Sequence, residues 1–472
     1  MAKFFDIKLR SYIFDKYFKG VWFGEYLEYT HNFWVSSERL IQNDEKAIFS
    51  FNDSWNVNLP QTTEFWLDFV FSFESELLEV LAKMEFEWVK INTEKLAKIW
   101  EEIDEKTKKI EAEIYEVVWE KFNINSAKQV QEILFEKLKI PTSKKIKTGF
   151  SVDNEALSFI AKDYAIASLI LDYRGLQKLQ STYVQWLLKV INKQTLKIHT
   201  TYNQIKTTTW RLSSENPNLQ NIPSWDFFSD EIKSCFIPSS PDYEILVADY
   251  SQVELRILAN LSGDPELTNA FLNGEDIHNK TAKFLFWENT NITSELRRRA
   301  KTVNFGVIYG ISGFGLSKTM NVSMVEATEY INKFFEKYSS VKTYYESILE
   351  KARQTGYVET FFGRRRYING LNDANRIIKW QAEREALNMP IQWTSADIIK
   401  LAMIKIDNFF KENNLKSKLI MQVHDELVFE IHKTELDFVQ KEIRRIMENI
   451  YNFPIKLFVD ISIWENWKKA KE

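Results

Sequence analysis

Two acids stand at the edges of apolar runs in this chain. Asp249 follows "ILVA" in "YEILVADYSQVELRILANLSGD", and Asp425 lies in "MQVHDELVF" with apolar residues on both sides. An ionised carboxylate at the end of a buried strand is costly unless a cation or donor sits beside it, and two such acids can jointly hold Mg²⁺. Each alone reads equally well as a solvated turn residue, so the companions decide. The stretch "RRRAKTVNFGVIYGISGFG" supplies them, because Arg297, Lys301, Phe305 and Tyr309 recur every four residues. On a helix each drifts only about 40° from the last, and the set lines one face over roughly 18 Å. Two cations followed by two rings suit a triphosphate joined to a sugar and a base. An amphipathic helix with core aromatics and solvated cations has the same spacing. Gly306 and Gly310 lean against that alternative, since glycine in a helix interior points to close approach by another backbone or a ligand.

Positioning these groups takes strands that end at the acids and a helix beneath the cations. "YEILVA" is an apolar run of strand length that gives way at Asp249 to a helical pattern. "KLIMQVHDELVFEI" reads as a hairpin with "HDE" at its turn, "IKLFVDISI" as a further strand, and "TELDFVQKEIRRIMENI" as an amphipathic helix between them. From Phe73 to about Leu179 the period is helical, and "TEKLAKIWEEIDEKTKKIEAEIYEVVWEKF" predicts part of a long exposed helix pair. Helices dominate again from 265 to about 410, whereas residues 1–72 are rich in aromatics and irregular.

Composition bounds the rest. A chain of 472 residues, 44% hydrophobic and without an apolar run near twenty residues, implies two or more subdomains and no membrane span. The N-terminus lacks a secretory signal and the single Cys235 cannot form an internal disulfide, so a cytoplasmic chain is expected. A net charge of −4 advertises no polyanion partner, so a nucleic-acid site must rest on local clusters. Arg297 to Arg299 with Lys301, Arg364 to Arg366, and Lys144, Lys145 and Lys147 are the candidates.

The motifs "DYSQVELR" (249–256), "RRRAKTVNFGVIYG" (297–310) and "QVHDELV" (422–428) resemble the three signature motifs of family A DNA polymerases, the bacterial DNA polymerase I type. "STY" (181–183), "RLSSENPNLQNIP" (211–223), "GEDIH" (274–278), "FGRRRYI" (362–368) and "REALNMPIQ" (384–392) follow the family in the same order, so the resemblance runs from about residue 73 to the C-terminus. It implies an α+β right-hand fold with a helical thumb, an antiparallel palm sheet and helical fingers. The implied divisions are a thumb at 73–192 that includes the start of the palm at 73–91, palm at 193–250 and 411–472, and fingers at 251–410. It also implies template-directed DNA synthesis with two Mg²⁺ ions on Asp249, Asp425 and the Tyr250 carbonyl, with Glu426 beside them. Arg297, Lys301, Phe305, Tyr309 and His278 would bind the nucleotide, with Lys301 also protonating the leaving pyrophosphate, and Glu254 would exclude a ribose 2′ hydroxyl. Arg211, Asn218, Gln220, Arg384, Asn388, Gln392 and His424 would line the primer-template, contacting acceptors shared by all base pairs. The partners implied are primer-template DNA and deoxynucleoside triphosphates, and the chain is expected to act as a monomer. "FFDIKLRSYIFD" faintly resembles part of a proofreading exonuclease domain, but only Asp6 is a candidate acid there, so neither a 3′ to 5′ exonuclease nor a 5′ nuclease is expected. A phage-type single-subunit RNA polymerase shares the paired Asp and the Lys and Tyr helix, and Glu254 argues against it.

One departure from the family is systematic. Trp88, Trp210, Trp287, Trp393 and Trp464 stand where the family pattern has Gly, and Trp is about the worst replacement for a residue needed at positive φ or at close approach. The chain holds 15 Trp and 13 Gly, where about 7% Gly is usual. The expectation is that these tryptophans are UGA codons read as glycine by the source organism. If Trp210 and Trp393 are genuine, each is expected to intrude on the DNA-contacting surface and leave a catalytically silent DNA-binding scaffold.

Overall fold

Side chains alternating across one strand organise the centre of the molecule. The structure, a computed structural model, describes residues 65–87, 89–141, 145–146, 149–204, 206–222, 227–286, 292–464 and 466–467. Asp6, Trp88, Lys144, Lys147 and Trp287 lie outside these residues. Helix α1 (Phe65–Glu87), strand β1 (Val89–Ile91), helix α2 (Thr93–Val118) and helix α3 (Ala165–Lys178) come first. They are followed by β2 (Lys197–Ile198), β3 (Thr201–Asn203), β4 (Ser213–Glu215), β5 (Phe236–Ile237) and β6 (Tyr243–Tyr250). Next come α4 (Val253–Ser262), α5 (Ile277–Phe286), α6 (Ser294–Ile308), the β7–β8 hairpin (Tyr357–Glu359 and Arg365–Tyr367) and the 37-residue α7 (Arg376–Glu412). Strands β9 (Lys418–Val423) and β10 (Glu426–His432), helix α8 (Leu436–Glu448) and strand β11 (Val459–Trp464) follow.

The main sheet runs β9-β10-β6-β11, antiparallel throughout. Leu246 and Ala248 of β6 join Leu427 and Phe429 of β10 in one apolar cluster with residues of α4, α7 and α8. Ile245, Val247 and Val428 point the other way, into a cluster with residues of α2 and α3. A strand buried on both faces needs the near-continuous apolar run seen in the sequence. The acids sit where the strands run out: Asp249 is the penultimate residue of β6, and Asp425 lies with His424 in the turn between β9 and β10.

Helix α6 begins where Thr293 Oγ1 accepts from the Leu296 N–H at 3.2 Å, and it ends at Ile308. Tyr309 is therefore the C-terminal cap and not a helical residue, because Gly310 follows at φ +61 and turns the chain. The close approaches expected at the two glycines come from within the protein. A Cβ at Gly306 would lie 2.9 Å from Ile311 Cγ2, and one at Gly310 would lie 3.3 Å from Arg384 Cγ.

Arg364 departs from the expected surface cluster. It is fully buried, and donates from Nη2 to Glu74 Oε1 at 2.6 Å and from Nε to Asp397 Oδ1 at 2.8 Å. Lys400 Nζ completes the group, 2.6 Å from Glu74 Oε1. Two cations and two anions cancel in charge, which allows a group this large to be buried at all. Its neighbours Arg365 and Arg366 pair with Glu359 and Glu385. No helix among the described residues is long and apolar enough to cross a membrane.

Candidate active site

Strand pairing brings the acids side by side. Tyr250 donates its N–H to the Asp425 carbonyl at 3.2 Å, and Asp249 is in register with Glu426 on one side and Asp460 on the other. Asp249 and Asp425 are half-buried, while Glu426 is buried and accepts the Trp467 indole N–H at 3.0 Å. Arg211 Nη2 lies 2.8 Å from Glu254 Oε1 and 3.3 Å from Asp425 Oδ1. Glu254, in the first turn of α4, also accepts the Tyr309 hydroxyl at 2.5 Å. Burial holds the Glu254 carboxyl above its usual range against Arg211 and Tyr309, and burial with Glu254 beside it raises the Tyr309 phenol. Among the described residues no group of three or more acids, His or Cys converges on one point. The carboxylates of Asp249 and Asp425 are oxygen donors of the kind that suits a hard divalent ion.

Helix α6 lies beyond Glu254. Arg297, Lys301 and Phe305 of the helix and its cap Tyr309 form a graded surface: Lys301 Nζ is 5.9 Å from the Phe305 ring centre, and the Phe305 and Tyr309 rings stack at 6.4 Å. Arg297 donates from Nε at 2.9 Å and Nη2 at 2.8 Å to Asp276 Oδ2. His278, 2% exposed, lies 5.8 Å from the Phe305 ring centre. Burial pushes its imidazole down to about 4, against the pull of Asp276 and with Arg297 and Lys301 adding to the effect.

Comparisons with known proteins bear on the chain as a whole. A family model described as DNA polymerase family A matches residues 93–469. The chain belongs to that family. It is 45% identical over 401 residues to DNA polymerase I of Caldicellulosiruptor bescii, covering 85% of this chain and 47% of that protein. It is likewise 45% identical over 399 residues to DNA polymerase I of Bacillus subtilis, covering 84% and 45%. The chain thus spans about half the length of these relatives. Among solved structures, the POL domain of Pol1 from M. smegmatis, in complex with DNA primer-template and dNTP, matches with a TM-score of 0.80 at 36% identity, covering 84% of this chain and 70% of that one. The right-hand polymerase fold is therefore the fold of this family A chain.

The residues expected along the duplex divide into two groups in this family A chain. Arg384, Asn388 and Gln392 are half-buried positions on one face of α7, between the buried Ala386, Met389 and Ile391. Arg384 Nε donates to the Tyr309 carbonyl at 3.3 Å, and Asn388 Oδ1 is buried with no hydrogen-bond partner among the described residues. Gln220 differs: it is 8% exposed and donates to Gln422 Oε1 at 2.8 Å, while Gln422 donates to the His424 carbonyl at 2.5 Å. Asn218 accepts the Gln220 N–H at 3.1 Å. Gln220 thus braces, through Gln422, the turn that carries Asp425, Asn218 holds its own loop, and His424 is the exposed member, at φ +54.

Three residues of the site escaped the sequence reading. Asp276 holds Arg297, Asn304 lies 2.9 Å from His278, and Gln422 braces the turn. Each lies inside a motif already noted, but the neutral amides Asn304 and Gln422 give no signal of their own when a motif is read for charge, and the Asp276 charge does not name its partner Arg297, 21 residues on.

The tryptophans resolve differently from one another. Trp210 is fully buried at φ +58, and its ring meets Trp393, 1% exposed, edge-on at 6.0 Å. Arg364 Cζ lies 4.4 Å from the Trp210 ring centre and Arg366 Cζ 5.4 Å from that of Trp393. Both indoles therefore point into the core, which corrects the expectation that they intrude on the DNA-facing surface. Trp464 is in β11 and 47% exposed, and nothing in its backbone calls for glycine. Trp119, which no motif singled out, is 91% exposed at φ +64, in the left-handed cap of α2 where glycine is the usual residue.

Proposed function

We propose that this chain adds deoxynucleotides to a primer 3′ end under the direction of a template. The observation that carries the proposal is the junction of Asp249 and Asp425, closed by the 3.2 Å Tyr250–Asp425 bond and joined through Arg211 and Glu254 to Tyr309 of the cation-and-ring surface. The primer hydroxyl attacks the α-phosphorus and the bond to pyrophosphate breaks. Two Mg²⁺ ions held by Asp249, Asp425 and the Tyr250 carbonyl would ease loss of the hydroxyl proton and neutralise phosphate charge. Arg297, exchanging Asp276 for phosphate, and Lys301 grip the triphosphate, and Lys301 gives the leaving pyrophosphate a proton. Phe305 and Tyr309 meet the sugar and base. Glu254 closes the space a ribose 2′ hydroxyl needs, Glu426 supports Asp249 from the adjoining strand, and Arg211, Arg384, Asn388, Gln392 and His424 face the primer-template.

The assignment of 73–192 to thumb, 193–250 and 411–472 to palm and 251–410 to fingers belongs to the same reading, as does action as a monomer. It includes no proofreading and no 5′ nuclease action by this chain, which a 3′-mismatched and a 5′-flapped primer test directly. Primer extension with deoxy- and ribonucleotides separates the DNA polymerase from an RNA polymerase and from a silent scaffold. Asp249→Ala or Asp425→Ala should abolish extension and leave primer-template binding within a few-fold, because the acids face metal and not duplex. Loss of binding and extension together would refute the role given to the acids.

The tryptophan reading is part of this proposal. Trp210 and Trp119 share a left-handed backbone that costs a residue with a Cβ about 1–2 kcal/mol, and this supports glycine as the natural residue at both. Trp393, whose ring abuts Trp210, goes with them, and Trp88, Trp287 and Trp464 rest on the family pattern alone. UGG codons at 210 and 393 in the gene would end the reading; UGA codons, with a glycine-mass peptide from the native host, would carry it.

A further inference from the structure

A buried amide stands behind the histidine beside helix α6. Asn304 is fully buried, and its Nδ2 lies 2.9 Å from His278 Nδ1. Thr281, one turn along α5 from His278 and equally buried, donates its hydroxyl to Asn304 Oδ1 at 3.0 Å. With Oδ1 so engaged, the amide turns its N–H toward the imidazole. An amide nitrogen can only donate, so Nδ1 must accept, and a neutral imidazole whose Nδ1 accepts carries its proton on Nε2. Resting on the nucleotide reading above, we propose that Asn304 is a positioning residue that fixes His278 as a neutral Nε2–H donor, so that a phosphate oxygen of the incoming nucleotide receives one aimed hydrogen bond there and no added positive charge.

The surroundings fit a neutral donor. Arg297 and Lys301, on the same helix as Asn304, already supply positive charge and disfavour an imidazolium, while Asp276 is engaged by Arg297 and by the N–H groups of His278 and Asn279. Burial acts in the same direction as the two cations. Charge and direction are thus divided between different residues: the cations attract the triphosphate, and the imidazole sets the angle at which one of its oxygens sits.

The test uses the whole chain labelled with ¹⁵N-histidine, whose five histidines give a sparse spectrum, with His278 assigned by loss of its signals in His278→Gln. The native protein should show the Nε2–H tautomer at neutral pH, and an Nδ1–H tautomer would overturn the proposal. In Asn304→Asp the carboxylate can only accept, so the proton should move to Nδ1 or an imidazolium should appear near neutrality. Dissociation constants for a deoxynucleoside triphosphate, measured with primer-template from pH 6 to 8, should then differ between variant and native by roughly 2- to 12-fold, the worth of one hydrogen bond, and the ratio should change with pH. The nucleotide's own titration cancels in that ratio. A constant ratio would mean that the new carboxylate merely repels phosphate, and would overturn the proposal. Native protein with the stated tautomer but no nucleotide affinity would instead overturn the nucleotide assignment and leave the tautomer lock intact.

Discussion

Replacing Trp210 and Trp393 together by glycine separates two accounts of this chain by a large margin. The rings meet at 6.0 Å, both residues are buried, and only Trp210 has a left-handed backbone. If tryptophan is the native residue, deleting each indole costs about 3–5 kcal/mol for lost burial and the cavity left behind. Relief of the Trp210 backbone returns only about 1–2 kcal/mol. The net loss of about 4–9 kcal/mol is an upper bound, because the contact between the rings is counted twice. It is comparable with the whole stability of a domain, about 5–15 kcal/mol, so the variant would melt or aggregate. If glycine is native, the loop before β4 and helix α7 close onto each other and the double variant is at least as stable as the tryptophan protein. The expected outcome is the second. Thermal melting and primer extension on both proteins measure it, and a double variant that fails to fold while the tryptophan protein folds and extends primers would refute the reasoning.

Glu254→Ala should admit ribonucleotides, read as a rise in their incorporation efficiency relative to deoxynucleotides; an unchanged preference removes the gate assignment. Phe305→Tyr should reduce discrimination against dideoxynucleotides, because a phenol can supply a hydroxyl near the sugar that Phe305 cannot; a ratio that does not move places Phe305 away from the sugar. Acid should weaken the fold through His278, whose folded imidazole titrates at about 4 in place of 6.5, so the unfolded chain binds the extra proton as pH falls through that window. Its contribution is complete above pH 6.5 and fades toward pH 4, worth at most about 3 kcal/mol. Melting temperatures from pH 4.5 to 7 should fall more steeply for native protein than for His278→Gln, and parallel curves would contradict this.

What could be read from the sequence follows from how each residue signals itself. The acids were legible because charge at the end of an apolar run is rare, and the β9–β10 turn forms where "HDE" predicts it. The α6 face was legible from spacing, although Gly310 ends the helix one residue before Tyr309. Arg364 was misread as surface, because its partners Glu74 and Asp397 are distant in sequence and only the fold joins them. The bond of Gln220 was illegible for the same reason, since its partner Gln422 comes from the first strand of the β9–β10 hairpin, 202 residues on. Asn304 left no trace, because an uncharged amide in a motif of cations and rings matches either a solvated or a buried position.

The contact chain from Tyr309 through Glu254 and Arg211 to Asp425 changes how the site is understood. Each link is 3.3 Å or shorter, so Tyr309, proposed to meet the base pair, and Asp425, proposed to hold metal, are separated by only two side chains. Arg211 is shared between two carboxylates, one buried and one half-exposed, and its Nε is buried with no hydrogen-bond partner among the described residues. On the proposed function, a group that draws Arg211 toward the duplex would weaken its hold on Asp425, and base-pair shape and the charge at the reacting end would be coupled through one guanidinium. The glycine question at position 210 is then a question about catalysis as well as stability, because the residue beside Arg211 sets the backbone angle from which that guanidinium is aimed.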